Sequence, residues 1–514
     1  MPAGDVRVGW NRDDESALTW TGGGPRLYWS RSCGVGMPYI FYDTETTGTN
    51  ERYDQILQFA AIHADDDLRE LESINLRCRI RPDVVPSPGA MMITRILPAD
   101  LLNAPLSHYE MICAVRRWLQ ERMPAAFIGH NSIAFDEGFL RHAFYKTLHP
   151  LYLTSTKGSV RADTMRIAQA THIMAPGVIR VPVNDRGNPA FRLGLLAREN
   201  GIDLSEDDAH DALADVRATL MLARMLRERA PPIWSQMMAS GTKAGAAAIL
   251  RREAALIHAD VHFGRPSMRI ITACVPMPGN DGTWAGFDLT HDPTPYLGMG
   301  LDGLRSVLKT KGPRALNLIR INSQPMLFPL AAAPAAVESA GFSPLRLTER
   351  ASAVRRHDGF LRRLSTALED FYEAGDSAAY VEERIYDGFP SHGDERIRLR
   401  FETAAWGDRS GVCDEFEDAR LRELGYRLIC FESPEHLPAG QRADIRREMA
   451  DRLLSIDPEI PWNTVASARA ELKDLRSGSV GGSDLSRLDE IGRYLDEIQH
   501  RYETWARDGR SAGS

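Results

Sequence analysis

An α/β domain, a small β-rich domain and a helical C-terminal domain are what this sequence predicts, and three observations predict them. From about residue 38 to 230, strand-like and helix-like apolar patterns alternate. From 232 to 350, short apolar segments are separated by Gly, Pro and Asn turns. From 351 onward, charged stretches with helical spacing take over. A length of 514 residues exceeds what one ordinary core organises, so two or three domains are expected. The boundaries fall at 37–231, 232–350 and 351–514. Residues 1–36 have no clear period, and MPYIFYDTETTG begins abruptly at Met37. They read either as a disordered tail or as a mis-called start upstream of a true one at Met37.

In the first domain, residues 38–43 form an apolar strand, and 55–65 and 73–82 read as the next two. HYEMICAVRRWLQERM (108–123) has helical spacing, AAFIGHN (125–131) is a short strand, and DEGFLRHAFYKTL (136–148) is helical again. FRLGLLARENGI lies in a helix over 190–202 that Gly201 ends, and a long amphipathic helix over 210–231 stops at Pro231 and Pro232. In the second domain IHADVHFG, MRIITACVPMP, WAGFDLT and LNLIRINSQPMLFPL are the strand candidates. The third carries helical stretches at 361–375, 414–424, 440–455, 465–476 and 484–507, with GSVGGSDLS (478–486) as a flexible connection before the last.

The hydrophobic share of 43% with 26% charged residues is that of a soluble globular protein. No apolar run reaches the roughly 18 residues of a membrane span, and no secretory leader pattern opens the chain. The 6 cysteines are scattered without a CxxC pair, which favours reduced core residues in the cytosol over zinc ligands or disulfides. A net charge of −8 does not advertise a nucleic-acid binder, yet a local basic groove is compatible with it.

The chemistry starts in FYDTETTGTN, where Asp43 and Glu45 stand two apart at the end of an apolar strand. Side chains two apart share a face, so both carboxylates converge just past the strand end, where open α/β sheets place their sites. Alone, the pair also reads as two solvated acids in a loop. In GHNSIAFDEGFL a strand ends at His130-Asn131 and Asp136 opens a helix, where an N-cap is the plainer role. In HDALADVRATLML, His210 precedes a helix, Asp211 is a candidate N-cap, and Asp215 lies about one turn inside, where the helix dipole favours an acid. Each piece has a structural explanation; together they assemble four carboxylates and one histidine. Oxygen-only ligands favour Mg²⁺ or Mn²⁺, and two such ions stabilise the attacking and leaving oxygens at phosphorus. A neutral histidine beside them can take a proton from the attacking water, so the set of parts is one that cleaves phosphodiesters.

The order DxE, HNxxxFD, HDAxAD resembles the DEDDh class of 3′→5′ exonucleases, with a ribonuclease-H-like fold, and no tyrosine stands where the DEDDy class has one. FYDTETTGTNERYDQILQFAAI, PSPGAMMITRILP, GHNSIAFDEGFLRHAFY, FRLGLLARENGI and HDALADVRATLMLARML together are similar to bacterial exonuclease I, a single-strand-specific exodeoxyribonuclease. LIRINSQPMLFPL is similar to that family's SH3-like domain, and ERIYDGFP with LGYRLICFESPEHLP to its helical C-terminal domain, so the resemblance runs from 37 to at least 455. It implies that Asp43, Glu45 and Asp215 hold one Mg²⁺ (Mn²⁺ as substitute), that Asp43 reaches a second, and that Asp136 acts on the second through water. It implies His210 as general base, 5′-mononucleotides as products, and a role in DNA repair or recombination. Substrate contacts carried over are Arg192 of the FRL motif, Glu45, Asn131, Thr94 and Met92, the last two in a loop where Met91, Met92 and Ile93 either wedge beside terminal bases or pack as core.

A base-tolerant single-strand groove combines cations with stacking platforms. Lys243, Arg251, Arg252, Arg265, Lys309, Lys311, Arg314 and Arg320 supply cations in the second domain, with Phe263 and Trp284 as aromatics among its turns; a solvated surface is the plain alternative for each. The resemblance implies that the second and third domains arch over the cleft and enclose the strand. It also implies a monomer in the bacterial cytoplasm, acting at the nucleoid. A partner is implied too: the acidic tail of a single-stranded-DNA-binding protein, with Lys311 and Arg314 in the right domain. Three other readings stand beside this one: an RNA-trimming exonuclease of the same class, a proofreading subunit and a non-catalytic nucleic-acid scaffold. The two extra domains argue against the first two, and the presence of all five site residues against the third.

Overall fold

The computed structural model describes residues 37–202, 211–310, 312, 314–339, 341–370, 378–478 and 481–511. The expectations for residues 1–36, for His210 and Lys311, and for parts of 361–375 and 478–486 lie outside the described residues.

The first sheet comprises β1 (Tyr39–Thr46), β2 (Ile56–Ala64), β3 (Glu70–Arg77), β4 (Ala126–Gly129) and β5 (Val160–Asp163), in the order β3-β2-β1-β4-β5. β1 is the middle strand, antiparallel to β2 and parallel to β4. Its alternate residues feed two cores. Phe41 packs with Ile62, Ile128 and Val216 on one face, and Ile40 and Tyr42 pack with Phe59, Phe127 and Phe139 on the other. A strand covered on both faces must read as a continuous apolar run, which is why YIFY precedes the acids.

The helices of this region are α1 (Pro88–Thr94), α2 (Pro98–Asn103), α3 (His108–Gln120), α4 (Asp136–Lys146), α5 (Thr164–Met174), α6 (Leu193–Glu199) and α7 (Ala212–Arg229). Ser107 and Glu110 form a capping box at α3, and Asp211 caps α7 by accepting from Leu213 N–H and Ala214 N–H. Two expectations are corrected here. The strand expected over 73–82 starts at Glu70 and ends at Arg77, because the Cys78 and Arg79 N–H groups turn to the carbonyls of Leu57 and Leu106. The stretch read either as a wedge loop or as core is helix α1, not a loop, and Met91 is buried in a core it shares with C-terminal helices. β5 and α5 carried no sequence expectation.

The region expected to be β-rich begins with two helices, α8 (Pro231–Ala239) and α9 (Lys243–Arg252). Pro231 and Pro232 open α8, where prolines lacking an N–H lose nothing. A second sheet follows: β6 (Leu256–His262), β7 (Arg265–Met277), β8 (Asn280–Asp288), β9 (Leu316–Arg320) and β10 (Met326–Pro329), antiparallel in the order β10-β6-β7-β8-β9. α10 (Thr294–Leu297) and α11 (Leu301–Lys309) connect β8 to β9. α12 (Pro334–Ser339), α13 (Pro344–Arg355) and α14 (Asp358–Glu369) come next; Leu347, Val354, Phe360 and Leu364 share a core with Phe287 and Leu316 of the sheet.

The last helices are α15 (His392–Thr403), α16 (Arg409–Asp414), α17 (Ala419–Glu432), α18 (Ala439–Leu453), α19 (Val465–Ser477) and α20 (Gly482–Ser511). Leu453, Leu472, Leu495 and Tyr502 bury themselves with Leu57, Met91 and Leu101, and Phe401, Leu424 and Ile429 with Tyr109 and Tyr145. These helices therefore draw their cores from the outer surface of the first α/β unit. Among the described residues no helix is long and apolar enough to cross a membrane.

Candidate active site

β1 delivers two carboxylates to one side of its end, and the first turn of α7 delivers a third. One carboxylate oxygen each of Asp43, Glu45 and Asp215 lies within 4.8 Å of the others. The sequence specifies this locally. Ala212, Val216 and Leu220 recur at helical spacing and bury α7 against the sheet, which carries Asp215 over the end of β1. The turn after Glu45 is held by Thr46 Oγ1 donating to Gly48 O at 2.7 Å and Thr47 Oγ1 donating to Asp54 Oδ1 at 2.9 Å. A Cβ at Gly48 would stand 2.4 Å from Asp54 Oδ2, so only glycine fits beside that carboxylate. Ser87 N–H donates to Thr47 O at 2.8 Å, docking the start of α1 on the same turn.

Asp136 stands beside the three. It opens α4 without capping it, Phe135 being the cap residue with no side-chain bond, so the N-cap role considered for it is not the one it plays. It is buried, and Thr44 Oγ1 donates to its Oδ1 at 2.6 Å.

The electrostatics of this group are those of buried acids crowded together, with Arg77 lowering Glu45 only in part. Burial first, then the neighbouring carboxylates Asp136, Glu45 and Asp215, push Asp43 well above the usual range. Burial and Asp215 push Glu45 to about 8. Burial raises Asp136 to about 7 against the lowering bond from Thr44, and burial with Asp211 raises Asp215 to about 6. Such a cluster cannot carry its full negative charge at neutral pH without a cation among its oxygens. The donor set fits a hard divalent ion: carboxylate oxygens only, convergent, and held by backbone elements.

The other expected contacts have these positions. Asn131 sits in the left-handed region at φ 65° and donates its N–H to Asp163 Oδ1 at 2.8 Å. Arg192 is the exposed cap residue of α6, and the adjacent Phe191 carbonyl is bonded by His130 Nε2 at 2.7 Å. Thr94 is buried and its Oγ1 accepts from Ile96 N–H; Met92 is half-buried. His210 lies outside the described residues.

Two buried acids had no role in the sequence reading. Glu137 accepts from Tyr42 OH at 3.0 Å and Thr154 Oγ1 at 2.8 Å and pairs with Arg141 and Arg161, fixing the start of α4 under the site. Asp163 accepts from the Asn131 and Ile133 N–H groups and caps α5, holding the 130–135 loop. Their signals were the second acid of FDE and the Asp-Thr pair of RADT. In the second sheet, Trp284 is buried under Arg251, whose guanidinium lies 5.3 Å from the ring centroid, which removes it as a stacking platform. Lys243 is committed to Asp281, Arg252 to Glu253, and Arg314 to the carbonyls of Leu308 and Thr310.

The chain is similar to known exonucleases in sequence and in fold. A family model described as Exonuclease (RNase_T) matches residues 40–223. Exodeoxyribonuclease I of Escherichia coli is 31% identical over 303 residues, spanning 56% of this chain and 63% of that protein. Exodeoxyribonuclease I of Haemophilus influenzae is 27% identical over 404 residues, spanning 75% of this chain and 84% of that protein. Among solved structures, exonuclease I from Methylocaldum szegediense aligns with a TM-score of 0.78 at 28% identity, covering 90% of this chain and 100% of that one. E. coli exonuclease I in complex with a dA16 oligonucleotide aligns at 0.77 and 23% identity, covering 90% of this chain and 100% of that one, and a complex described as SSB/exonuclease I aligns at 0.76 and 24%, covering 90% and 99%. Below 25% identity, these last two speak to the fold alone.

Proposed function

We propose that the chain is an exonuclease I-like DEDDh exonuclease, acting as a single-strand-specific 3′→5′ exodeoxyribonuclease that releases 5′-mononucleotides. The observation that carries this is the convergence of Asp43, Glu45 and Asp215 within 4.8 Å at the end of β1. Asp43, Glu45 and Asp215 would hold a divalent cation, Mg²⁺ with Mn²⁺ as substitute, and Asp43 and Asp136 would serve a second. When bound, such ions supply positive charge to the attacking and leaving oxygens of the scissile phosphodiester.

The chain's own residues do the rest. Thr44 donates to Asp136 and fixes that carboxylate's orientation toward the cluster. Asp163 holds the 130–135 loop by two backbone bonds, so Asn131 meets the strand on a preset backbone. Arg192, exposed at the start of α6, holds a phosphate of the terminal nucleotides. His210 takes the proton of the attacking water. Supporting the substrate class, the relatives of Escherichia coli and Haemophilus influenzae are named exodeoxyribonuclease I; neighbours that share the fold are solved with a dA16 oligonucleotide and with SSB. We extend both to this chain: single-stranded DNA as substrate, and the acidic tail of a single-stranded-DNA-binding protein as partner. The protein acts as a monomer in the cytoplasm, in DNA repair or recombination.

The test is a time course on 3′-labelled strands with Mg²⁺, comparing single-stranded DNA, duplex DNA and RNA for wild type and Asp215→Ala. Mononucleotide release from single-stranded DNA only, abolished by the substitution and by EDTA, is the expected result. Faster loss of RNA, or binding without cleavage of either polymer, overturns it.

A further inference from the structure

The tip of the β6–β7 hairpin is energetically odd. His262 pairs with Arg265, so Phe263 and Gly264 alone make the turn. Both have positive φ, 51° and 74°, as two-residue hairpin turns of the favoured hand require. Asn-Gly is the combination that turn prefers; a bulky aromatic in the left-handed region is strained. Phe263 is also 99% exposed, which leaves its ring wholly in water. Strain and exposure coincide at one residue, and nothing among the described residues compensates either.

The tip is not free in space. A Cβ at Gly264 would lie 3.2 Å from Asn188 Cβ and 3.4 Å from Pro189 O, so the hairpin backbone rests on the 182–190 segment of the first α/β unit. That segment closes on itself through the Val183–Pro189 bridge and runs directly into Phe191 and Arg192. His130, which bonds the Phe191 carbonyl, is followed by Asn131. The second sheet therefore touches the first unit where the chain delivers two of the substrate contacts assigned above. Arg265, exposed two residues on, adds a cation suited to a phosphate, and the neighbours at the tip are His262 and Gly264 rather than an apolar patch. A lone flat ring flanked by a cation suits an unpaired base and its phosphate better than a protein surface, because every base offers a π-face.

We propose that Phe263 is a stacking finger: its ring takes an unpaired base of the DNA strand entering the site, and Arg265 the adjoining phosphate. This rests on the single-strand reading given above. It makes the second sheet a contributor to substrate binding through a single residue whose conformation is set against folding.

Three proteins test it, with EDTA present so that no strand is cut: wild type, Phe263→Asn and Phe263→Trp. Single-stranded oligonucleotides of about 4 to about 16 nucleotides are titrated by fluorescence anisotropy. Asn suits the left-handed turn, so Phe263→Asn raises Tm while weakening the longer strands about tenfold. A merely structural Phe263 would move both readouts in one direction. Phe263→Trp keeps wild-type affinity, and its added emission is quenched by the strand. Unchanged affinity in Phe263→Asn, or unquenched emission in Phe263→Trp while the strand binds, overturns the proposal and leaves the exonuclease reading intact. A wild type that binds no single strand overturns both.

Discussion

At the end of β1, Asp43, Glu45 and Asp215 converge beside Asp136, acids of one sign whose burial drives their protons on. Where the C-terminal helices dock on the first α/β unit, charges are as deeply placed but matched. Arg81 holds Asp83 at 2.6 Å; burial pushes the Asp83 carboxyl up, yet Arg81 outweighs it and brings it to about 2. Glu382 accepts from Arg427 at 2.8 Å and from Arg452 at 2.9 Å, and these cations likewise outweigh its burial and hold it below its usual range. Arg452 further lies over the Trp462 ring at 4.3 Å. The contrast separates two uses of buried charge. Matched charges orient one part of the chain on another; unmatched acids of one sign store an affinity for something outside the chain.

The largest effect expected from breaking this contrast is catalytic. Asp215→Ala or Asp43→Asn lowers kcat by about 10³-fold or more, measured on single-stranded DNA. The same substitutions raise the Tm of the metal-free protein, because each removes a repelling charge; a fall in Tm would make these acids structural. Next comes Glu382→Ala, which leaves Arg427 and Arg452 without their shared acceptor. It costs about 3–5 kcal/mol in urea unfolding, as for other buried pairs that lose one member.

The pH dependence sharpens the same contrast, with opposite signs at the two places. Glu45 at about 8, Asp136 at about 7 and Asp215 at about 6 all lie above free carboxylates, so the native state binds the extra protons. Their contribution to metal-free stability is fully present below the unfolded values and is lost as pH rises from about 4 to about 8; saturating Mg²⁺ flattens that loss in a Tm-versus-pH series. Asp83, held at about 2, contributes stability that is present above about 4 and lost as pH falls toward 2. The smallest effect belongs to the exposed Arg52–Glu383 pair at 3.4 Å, where Arg52→Ala changes stability by no more than about 1 kcal/mol.

What the sequence disclosed follows the range of the forces involved. Asp43 and Glu45 on one face of β1, and Asp215 one turn into α7, are consequences of the 2.0 and 3.6 periodicities, which are local and legible. The mixed sheet and the helical C-terminal region were legible for the same reason. α1 was not, since it opens on Pro88 and Gly89, which read as a turn, and is held by burying Met91 against distant C-terminal helices. α8 was hidden because Pro231 and Pro232 read as a stop while serving as a start. β5 has four residues, too short to show a period. Trp284 stood out as an aromatic for stacking, but within β8 it faces the core beneath Arg251. Glu137 and Asp163 were visible as letters and invisible as a support, because their donors come from residues far along the chain.

The central claim is that the acids at the end of β1 are held for a divalent cation. Calorimetric titration of Mg²⁺ into the metal-free protein at neutral pH, repeated in two buffers of different ionisation heat, tests it directly. The account predicts binding accompanied by proton release from the cluster, seen as a buffer-dependent heat, and its loss in Asp43→Asn/Asp215→Asn. No binding to wild type, or binding undiminished in the double variant, would contradict it.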